Sequence, residues 1–491
     1  MSVFSDIIAF RKQGDLEKAY AMATTALAEN PDNVWVKRAM AWVLYDYINY
    51  NALLKNRDLF VQYLSELKDL NLPETEDVVY NAILWALRKF YSDCSKNEWR
   101  NNAFYASLFD VYREMPFPKG DAYLALLNEV FRARKYWEDY PKFLEWWDVD
   151  NFSEKDFEPI IKEDKKIMSL AERCYIELGK YYEKSEPSEQ KNVFIEKLKV
   201  LVAQRNDLTY PPYYLAKLLI QQGSNQEAID LLKSFVRKKT KEFWVWQLFG
   251  EAYVSDNEKL AFYCKALLCG GKEEMLVSLR EKSALLFVQL GYYNEARFEI
   301  DKVISIRLQK NWKVSSTLEN IRRESWYSNA QEVASNNAFY AENAKVAEEI
   351  VFGVAKKYKV LVTSVNAQKG FISFLTEEKK SGFFKKTDPR LNVKQGDVLE
   401  LAAFSLEEEK PSKVKEAKIL NEDSHPIFFR DFEGIVHKKT NADFAFIDSV
   451  YVSSDLLKSV DDGVFVSGKA IISYEKKKDK WGWRALSLNV K

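Results

Sequence analysis

The spacing of apolar residues changes near residue 356, and this change constrains the fold more than any other feature of the sequence. Upstream, stretches such as GDLEKAYAMATTALAENP place apolar residues at a helical period of about 3.6. Downstream, YKVLVTSVNAQKGFISFL alternates apolar and polar residues, as half-buried strands do. The chain is therefore predicted to be a multidomain α + β protein, with an all-α N-terminal part followed by a β-rich C-terminal part.

Length and charge limit the number of domains and the kinds of ligand that this protein is expected to have. A chain of 491 residues is too long for one ordinary core, so several domains are expected. Lys plus Arg and Asp plus Glu number 73 each, so no overall field draws the molecule to nucleic acid or to an anionic membrane, and such binding must be local. The N-terminus lacks the features of a signal peptide, and no apolar run approaches the roughly 18 to 20 residues that span a bilayer. We expect a soluble, cytoplasmic protein that does not contact membranes.

The sequence offers few residues for metal binding or catalysis. Its four cysteines and two histidines are scattered without a CxxC pair; they are Cys94, Cys174, Cys264, Cys269, His425 and His437. We therefore expect reduced thiols and no metal site. The P-loop, Rossmann, GxSxG and HExxH motifs are all missing from the sequence. The prediction is a protein that is not an enzyme, with no catalytic residues and no cofactor.

Three segments of the helical part share one spacing of a glycine, a small residue and an apolar residue. They are Gly14, Ala19 and Ala26; Gly223, Ala228 and Phe235; and Gly291, Ala296 and Val303. In a helix hairpin the glycine permits a tight turn, the alanine permits close approach of two helices, and the third residue packs along the same face. Ala228, Ala261 and Ala296 are separated by 33 and 35 residues.

This period resembles that of the tetratricopeptide repeat superfamily. The resemblance covers residues 1–352 as a superhelical solenoid and is weak at about 50–170, where tryptophan-rich helices lack the small residues. It implies a groove that binds a protein or peptide partner, although the sequence does not show which side chains line it. The pairs Trp146/Trp147 and Trp244/Trp246 are interpreted as packing between repeats, with ligand contact as the alternative. Helices at 326–352 could cap the array.

Two β units of about 65 residues follow, at 355–420 and 428–491, each with the same succession of five strands. Such units are typical of small Greek-key barrels of the oligonucleotide-binding (OB) type. Residues 356–420 hold 14 Lys or Arg against 9 acidic residues, and residues 430–491 hold 11 against 9. The first unit is thus the more basic.

The second unit resembles the cold-shock domain, whose two aromatic strands have the form KGFGFI and VFVH. Here the corresponding stretches are ADFAFID and SVYVSS, so Phe444, Phe446 and Tyr451 fall on the aromatic positions. Ala442 and Asp443 replace the Lys-Gly start, and Ser453 replaces the histidine. The resemblance implies that the three rings face outward and stack on the bases of single-stranded RNA or DNA.

The first unit matches the same pattern differently. KGFISF supplies Lys369, Gly370 and Phe371, but Ser373 stands where the second aromatic residue is expected. GFFKK supplies Phe383 at the aromatic position and Lys385 at the histidine position. The resemblance implies a poorer stacking surface with more basic character.

Further candidate contacts are the lysines Lys438 and Lys439 and the run KKKDKWGWR, which contains Trp481 and Trp483. Residues at i and i+2 of a strand point to one face, so Phe444 and Phe446 share a side, and nearby lysines neutralise phosphates. Alternation alone does not say which side is buried, because a shift of one residue exchanges the faces. Phenylalanines that fill the barrel are therefore the alternative.

The predicted function is that of an adaptor, with a protein partner in the solenoid and a single-stranded nucleic acid on the barrels. The alternative is a protein-interaction scaffold or regulatory subunit in which the barrels are structural. The near-neutral charge and the incomplete motif of the first barrel favour this alternative.

Overall fold

The computed structural model describes residues 3–54, 56–96, 101–163, 165–386, 388–420, 425–438, 444–458, 460–475 and 480–491. The chain divides into two compact units, Met1–Phe235 and Val236–Lys491. The second unit contains the last helices together with both β sheets. The boundary between units thus falls within the helical part, whereas the sequence period changes about 120 residues later.

Helices dominate the chain up to residue 352. The first twelve, of which the last crosses the boundary between the units, are α1 (Val3–Gln13), α2 (Leu16–Glu29), α3 (Val34–Leu54), α4 (Arg57–Asp69), α5 (Asp77–Lys96), α6 (Asn102–Tyr112), α7 (Asp121–Ala133), α8 (Tyr140–Trp147), α9 (Leu170–Lys184), α10 (Glu189–Gln204), α11 (Pro211–Gln221) and α12 (Asn225–Lys238). Between α8 and α9 lies a small antiparallel hairpin of β1 (Ile160–Lys162) and β2 (Lys165–Ile167). None of the helices in the described ranges is long and apolar enough to cross a membrane.

The second unit continues with helices. They are α13 (Phe243–Glu251), α14 (Asp256–Cys269), α15 (Glu273–Gln289), α16 (Tyr293–Gln309), α17 (Ser316–Ile321), α18 (Ser325–Asn329) and α19 (Asn337–Phe352). Gly14, Gly223 and Gly291 lie in turns between helices with φ near 80°. Because this left-handed backbone favours glycine, the predicted helix hairpins have their predicted turns. The alanines at the small positions are buried: Ala19, Ala228, Ala261 and Ala296.

The tryptophan pairs are largely buried. Trp147 and Trp246 have at most 1% of their surface exposed, and their indole nitrogens donate to the backbone oxygens of Tyr123 and Thr240. Trp146 and Trp244 are half-buried. Burial with a bonded indole nitrogen is the usual state of core tryptophans, which is consistent with the packing interpretation.

The end of the helical part differs from a simple capping arrangement. Leu318 and Ile321 of α17 pack on the apolar core of α15 and α16. The longer helix α19 packs lengthwise against α14, and its ends reach Phe287 of α15 and Trp246 of α13 through Phe339 and Phe352. The chain therefore returns along helices formed earlier before it enters the sheets.

The first sheet contains β3 (Lys356–Asn366), β4 (Phe371–Thr376), β5 (Ser381–Lys385), β6 (Val398–Ser405) and β7 (Lys413–Leu420). The strands are antiparallel in the order β5-β4-β3-β6-β7. The amide of Ser412, just before β7, donates to the carbonyl of Phe383 on β5 at 2.7 Å. The sheet thus curls until its two outer strands meet at one bond.

The second sheet contains β8 (Phe429–Ile435), β9 (Ala445–Ile447), β10 (Val450–Val452), β11 (Phe465–Glu475) and β12 (Lys480–Val490), with the short helix α20 (Ser454–Leu457) after β10. Its order is β8-β11-β12-β10-β9, and β10 pairs with β12 in parallel. If the strands of each sheet are numbered one to five along the chain and the sheet is closed into a barrel, both sheets have the same order of neighbouring strands. The two sheets differ only in which pair of neighbouring strands is left unpaired. Two half-barrels of one topology fit the predicted pair of OB-type domains.

Candidate nucleic-acid interface

The candidate interface of the second barrel is built on the β9–β10 hairpin. Ile447 lies opposite Val450, and the turn between them consists of Asp448 and Ser449 with φ of 47° and 64°. Two successive residues with positive φ form the tight turn that matches the twist of paired strands. This turn fixes the register in which Phe446 lies opposite Tyr451.

Alternation along the hairpin separates a core side from an outer side. Ala445, Ile447 and their partners on β10 are at most 3% exposed and belong to the barrel core. Phe446 is 56% exposed, Phe444 is 37% exposed, and Tyr451 is half-buried. The phenylalanines therefore do not fill the barrel. Of the two orientations that the sequence allowed for these rings, the structure shows the outward one.

Phe444, Phe446 and Tyr451 form one cluster, hereafter the aromatic triad. The ring centroids of Phe444 and Tyr451 are 5.4 Å apart, and each lies 5.8 Å from that of Phe446. The rings of Phe444 and Tyr451 are tilted by 34°, whereas Phe446 is nearly perpendicular to Phe444. Exposed rings at this spacing can stack on the apolar faces of bases.

Basic groups flank the triad. Arg484 of β12 lies beside Tyr451 in the parallel pair and is exposed. Arg430 of β8 donates to Asp448 in the hairpin turn at 2.6 Å, so this cation is partly neutralised. Lys438 lies in the loop between β8 and β9, where its amide donates to Asp462 at 2.7 Å and its side chain is exposed. Lys439, also predicted as a contact, lies outside the described residues.

The first barrel carries two rings, hereafter the aromatic pair. Phe371 of β4 and Phe383 of β5 have centroids 5.5 Å apart at an interplanar angle of 82°, and both are half-buried. Lys385 lies opposite Phe371 and is exposed, and Ser373 lies opposite Phe383. Ile372, Phe374 and Phe384 point to the opposite side and fill the core of this barrel.

The two tryptophans of β12, predicted as nucleic-acid contacts, lie where the two barrels pack together. Trp483 packs against the core of the second barrel and against a buried cluster between the two barrels. Trp481 borders the same cluster, where its ring lies 5.0 Å from that of Tyr474 and 5.7 Å from the ammonium of Lys379. Their indole surface is therefore used largely in packing between barrels, since both side chains are half-buried there.

The cluster between the barrels is apolar and buried, and we call it the barrel seam. Its residues are at most 7% exposed: Leu361, Leu375 and Val398 from the first barrel, with Phe428, Phe429, Ile471 and Ile472 from the second. At its edge the imidazole of His425 lies 2.9 Å from the carboxylate of Glu377. Leu361 and Leu375 project away from the core of their own barrel, so the barrels dock through their outer faces.

Arg484 and the barrel seam could not be located from the sequence. Arg484 reads there as one member of a basic run, and its position beside Tyr451 follows from the parallel pairing of β10 with β12. The sequence did contain one signal of the seam. Apolar residues follow one another along β3, as in Val360, Leu361 and Val362, which indicates that both faces of this strand are buried.

Models of two known families match parts of this chain, one in the helical part and one in the second barrel. The model of a family described as S1/CSD-like domain 2 of the TOTE conflict systems matches residues 430–488, the extent of the second sheet. The model of a family described as a domain of unknown function (DUF7017) matches residues 209–347, from just before α11 into α19. No curated protein matches the chain. The second barrel is therefore similar to S1 and cold-shock-like domains, which supports a capacity to bind nucleic acid.

Proposed function

We propose that this protein is a non-enzymatic adaptor that binds single-stranded RNA or DNA through its C-terminal barrels and a protein partner through its helical part. The observation that carries the nucleic-acid half is the aromatic triad. Three rings project from adjacent strands of a barrel that is similar to S1 and cold-shock-like domains. In OB-type barrels these two strands and the flanking loops are the usual surface for oligonucleotides.

Charge around the triad fits this ligand. Arg484 and Lys438 are exposed on or beside the outer face, and Lys385 has the same role on the first barrel. Cations beside stacking rings allow the backbone phosphates to be held while the bases lie on the rings. We include Lys439 in the contact set because it directly follows Lys438 in the sequence.

The protein-partner half rests on the helical repeats. Turn glycines and buried small residues recur at the spacing typical of tetratricopeptide-like arrays, whose surfaces bind extended peptides or helices. We propose a helical domain at 1–352 from these repeats, and two barrel domains at 355–420 and 428–491 from the two five-stranded sheets. The absence of catalysis is proposed because the sequence lacks the common phosphate-binding, nucleophile and metal motifs.

Fluorescence anisotropy of the full-length protein with labelled single-stranded oligonucleotides tests the nucleic-acid half. We expect binding at low salt that is lost in the combined variant Phe444→Ala, Phe446→Ala and Tyr451→Ala. Trp312→Ala is the control, because Trp312 is 43% exposed and lies in the helical part. Binding that survives the triple change would show that the triad is not the site.

The purified protein gives a second measurement. Nucleic acid that co-purifies at low salt, seen in the ratio of absorbance at the nucleic-acid and protein maxima, supports the proposal. If the wild-type protein binds neither RNA nor DNA and instead captures one stoichiometric polypeptide, the scaffold alternative is correct and the barrels are structural.

A further inference from the structure

The aromatic pair of the first barrel lies on the face that enters the barrel seam. Phe371, Ser373 and Leu375 alternate along β4 and therefore project to the same side of the sheet. Leu375 is buried in the barrel seam, while Phe371 is accessible. Since a strand advances about 3.3 Å per residue, Phe371 lies about 13 Å from Leu375 along β4, and Phe383, opposite Ser373, lies about 7 Å from the level of Leu375.

The triad of the second barrel reaches the same seam across strands. Phe446 is paired with Tyr451, Tyr451 with Arg484, and Arg484 with Ile471, so these four side chains share the outer face. Ile471 is buried in the barrel seam. Neighbouring strands lie about 4.8 Å apart, which places Tyr451 roughly 10 Å from Ile471 with Arg484 between them.

The seam holds the two ring clusters at a fixed separation. No surface is exposed on Leu361 and Val398 of the first barrel or on Phe428 of the second. Trp483 and Leu486 pack at the edge of this cluster. A buried apolar contact of this kind resembles a domain core more than a transient interface. The second barrel is thus held at a high and constant effective concentration with respect to a strand bound on the first.

Cations lie near the margin of the seam. Arg484 is exposed beside Tyr451, and the ammonium of Lys379, in the β4–β5 turn, lies over the ring of Trp481. On the aromatic pair, Lys385 is exposed opposite Phe371. A nucleic-acid backbone that leaves the triad at Arg484 therefore meets positive charge at these positions, while the carboxylate of Glu377 at the edge of the seam lies 2.9 Å from the imidazole of His425.

We infer that the two barrels form one composite site, in which a single-stranded nucleic acid long enough to cross the barrel seam is held at both the aromatic triad and the aromatic pair. This inference rests on the proposed function. It adds that the ligand is a strand spanning two barrels, and that the first barrel is part of the site. Trp481 and Trp483 act as positioning residues, because they fix the two surfaces relative to each other.

The test compares two oligonucleotide lengths on the full-length protein. One-barrel sites take about 4 to 16 nucleotides, so labelled oligothymidylates of about 6 and about 18 nucleotides distinguish one barrel from two. We expect the combined variant Phe371→Ala and Phe383→Ala to weaken binding of the longer strand by at least about tenfold, because each stacked ring contributes several-fold to affinity. The shorter strand, held at the triad, is expected to lose much less. Trp312→Ala is the aromatic control for both lengths.

The outcomes separate this inference from the proposed function. Equal losses for the two lengths, or wild-type affinity of the variant for the longer strand, would overturn the composite site while leaving the triad as a one-barrel site. Failure of the wild-type protein to bind either length would overturn the proposed function itself. Thermal unfolding followed by circular dichroism shows whether the first barrel of the Phe371/Phe383 variant is still folded. Lys385→Gln, which leaves both rings in place, is expected to reduce affinity for the longer strand by a smaller factor.

Discussion

Tyr451 lies directly opposite Phe446 on the neighbouring strand, and their ring centroids are 5.8 Å apart at an interplanar angle of 68°. If the exposed ring of Phe446 stacks on a base, then an aromatic substitute retains affinity and an aliphatic one does not. We expect Phe446→Leu to weaken oligonucleotide binding by about 1 to 3 kcal/mol and Phe446→Tyr to have little effect. Anisotropy titrations of both variants measure the difference. Equal affinity of the leucine and tyrosine variants would show that the position supplies only apolar area.

Salt dependence reports the contribution of the lysines. For single strands the slope of log affinity against log salt changes by about 0.7 for each phosphate neutralised. Lys438→Gln and Lys385→Gln are each expected to reduce the slope by about this amount while changing affinity similarly for all sequences. Lys458→Gln is the matched control, because Lys458 directly follows α20 and is paired with Asp455. A slope unchanged in all three variants would show that neither lysine contacts phosphate.

Gly179 permits a close contact between α9 and α11 in the first unit. A Cβ atom at this position would lie 2.6 Å from Cγ and 2.8 Å from Cβ of Tyr214, so the backbone of α11 would have to move. We expect Gly179→Ala to lower the free energy of unfolding by about 1 to 3 kcal/mol despite the better helix propensity of alanine. Gly120→Ala is the control, because no atom lies within 4 Å of the added group. Chemical denaturation measures both, and equal stabilities would contradict the contact.

Glu299 holds α19 to the helices before it. Its side chain is buried, forms an ion pair with Arg280 at 2.7 Å, and accepts hydrogen bonds from Asn336 and from the Tyr340 hydroxyl. Burial raises the pKa of Glu299, although Arg280 and Asn336 oppose this. Removal of one partner from such a pair typically costs about 3 to 5 kcal/mol, so Glu299→Ala is expected to destabilise the second unit strongly.

Thermal unfolding followed by circular dichroism checks the Glu299 prediction. Glu332→Ala is the control, because Glu332 pairs with Arg297 at 2.7 Å but is 81% exposed, and such pairs contribute about 1 kcal/mol or less. Similar midpoints for the two variants would mean that α19 is held by its apolar contacts alone.

Local pattern was sufficient to predict the elements of the barrels. The alternation around Phe444 and Phe446 predicted a strand, and the repeat of five strands predicted two barrels of one type. The direction of the rings depends on the other side of the sheet, where Ala445 and Ile447 meet residues from β11 and β12. A pattern of period 2 is the same for either direction, so the sequence without the resemblance to cold-shock domains left both open.

Contacts between elements that are distant in the chain could not be predicted from the sequence. Trp481 and Trp483 are residues typical of a stacking surface, but the docking of the first barrel on β12 buries part of each ring. The position of α19 beside α14 was likewise not predicted, because an amphipathic helix shows that it has an apolar face and does not show which surface covers that face. Contacts between elements distant in the chain decide both cases.

The open edge of the first sheet has a consequence for solubility. A strand edge with free amides and carbonyls is a template for pairing with another chain, and proteins protect such edges with lysines or by covering them. On β7, Lys413 lies over the ring of Phe352 at 4.2 Å, and Lys415 lies 3.9 Å from the carboxylate of Glu349, both of α19. The returning helix thus shields the edge at which this sheet would otherwise add strands from neighbouring molecules, so a chain that begins after α19 and keeps the sheet is expected to aggregate through β7.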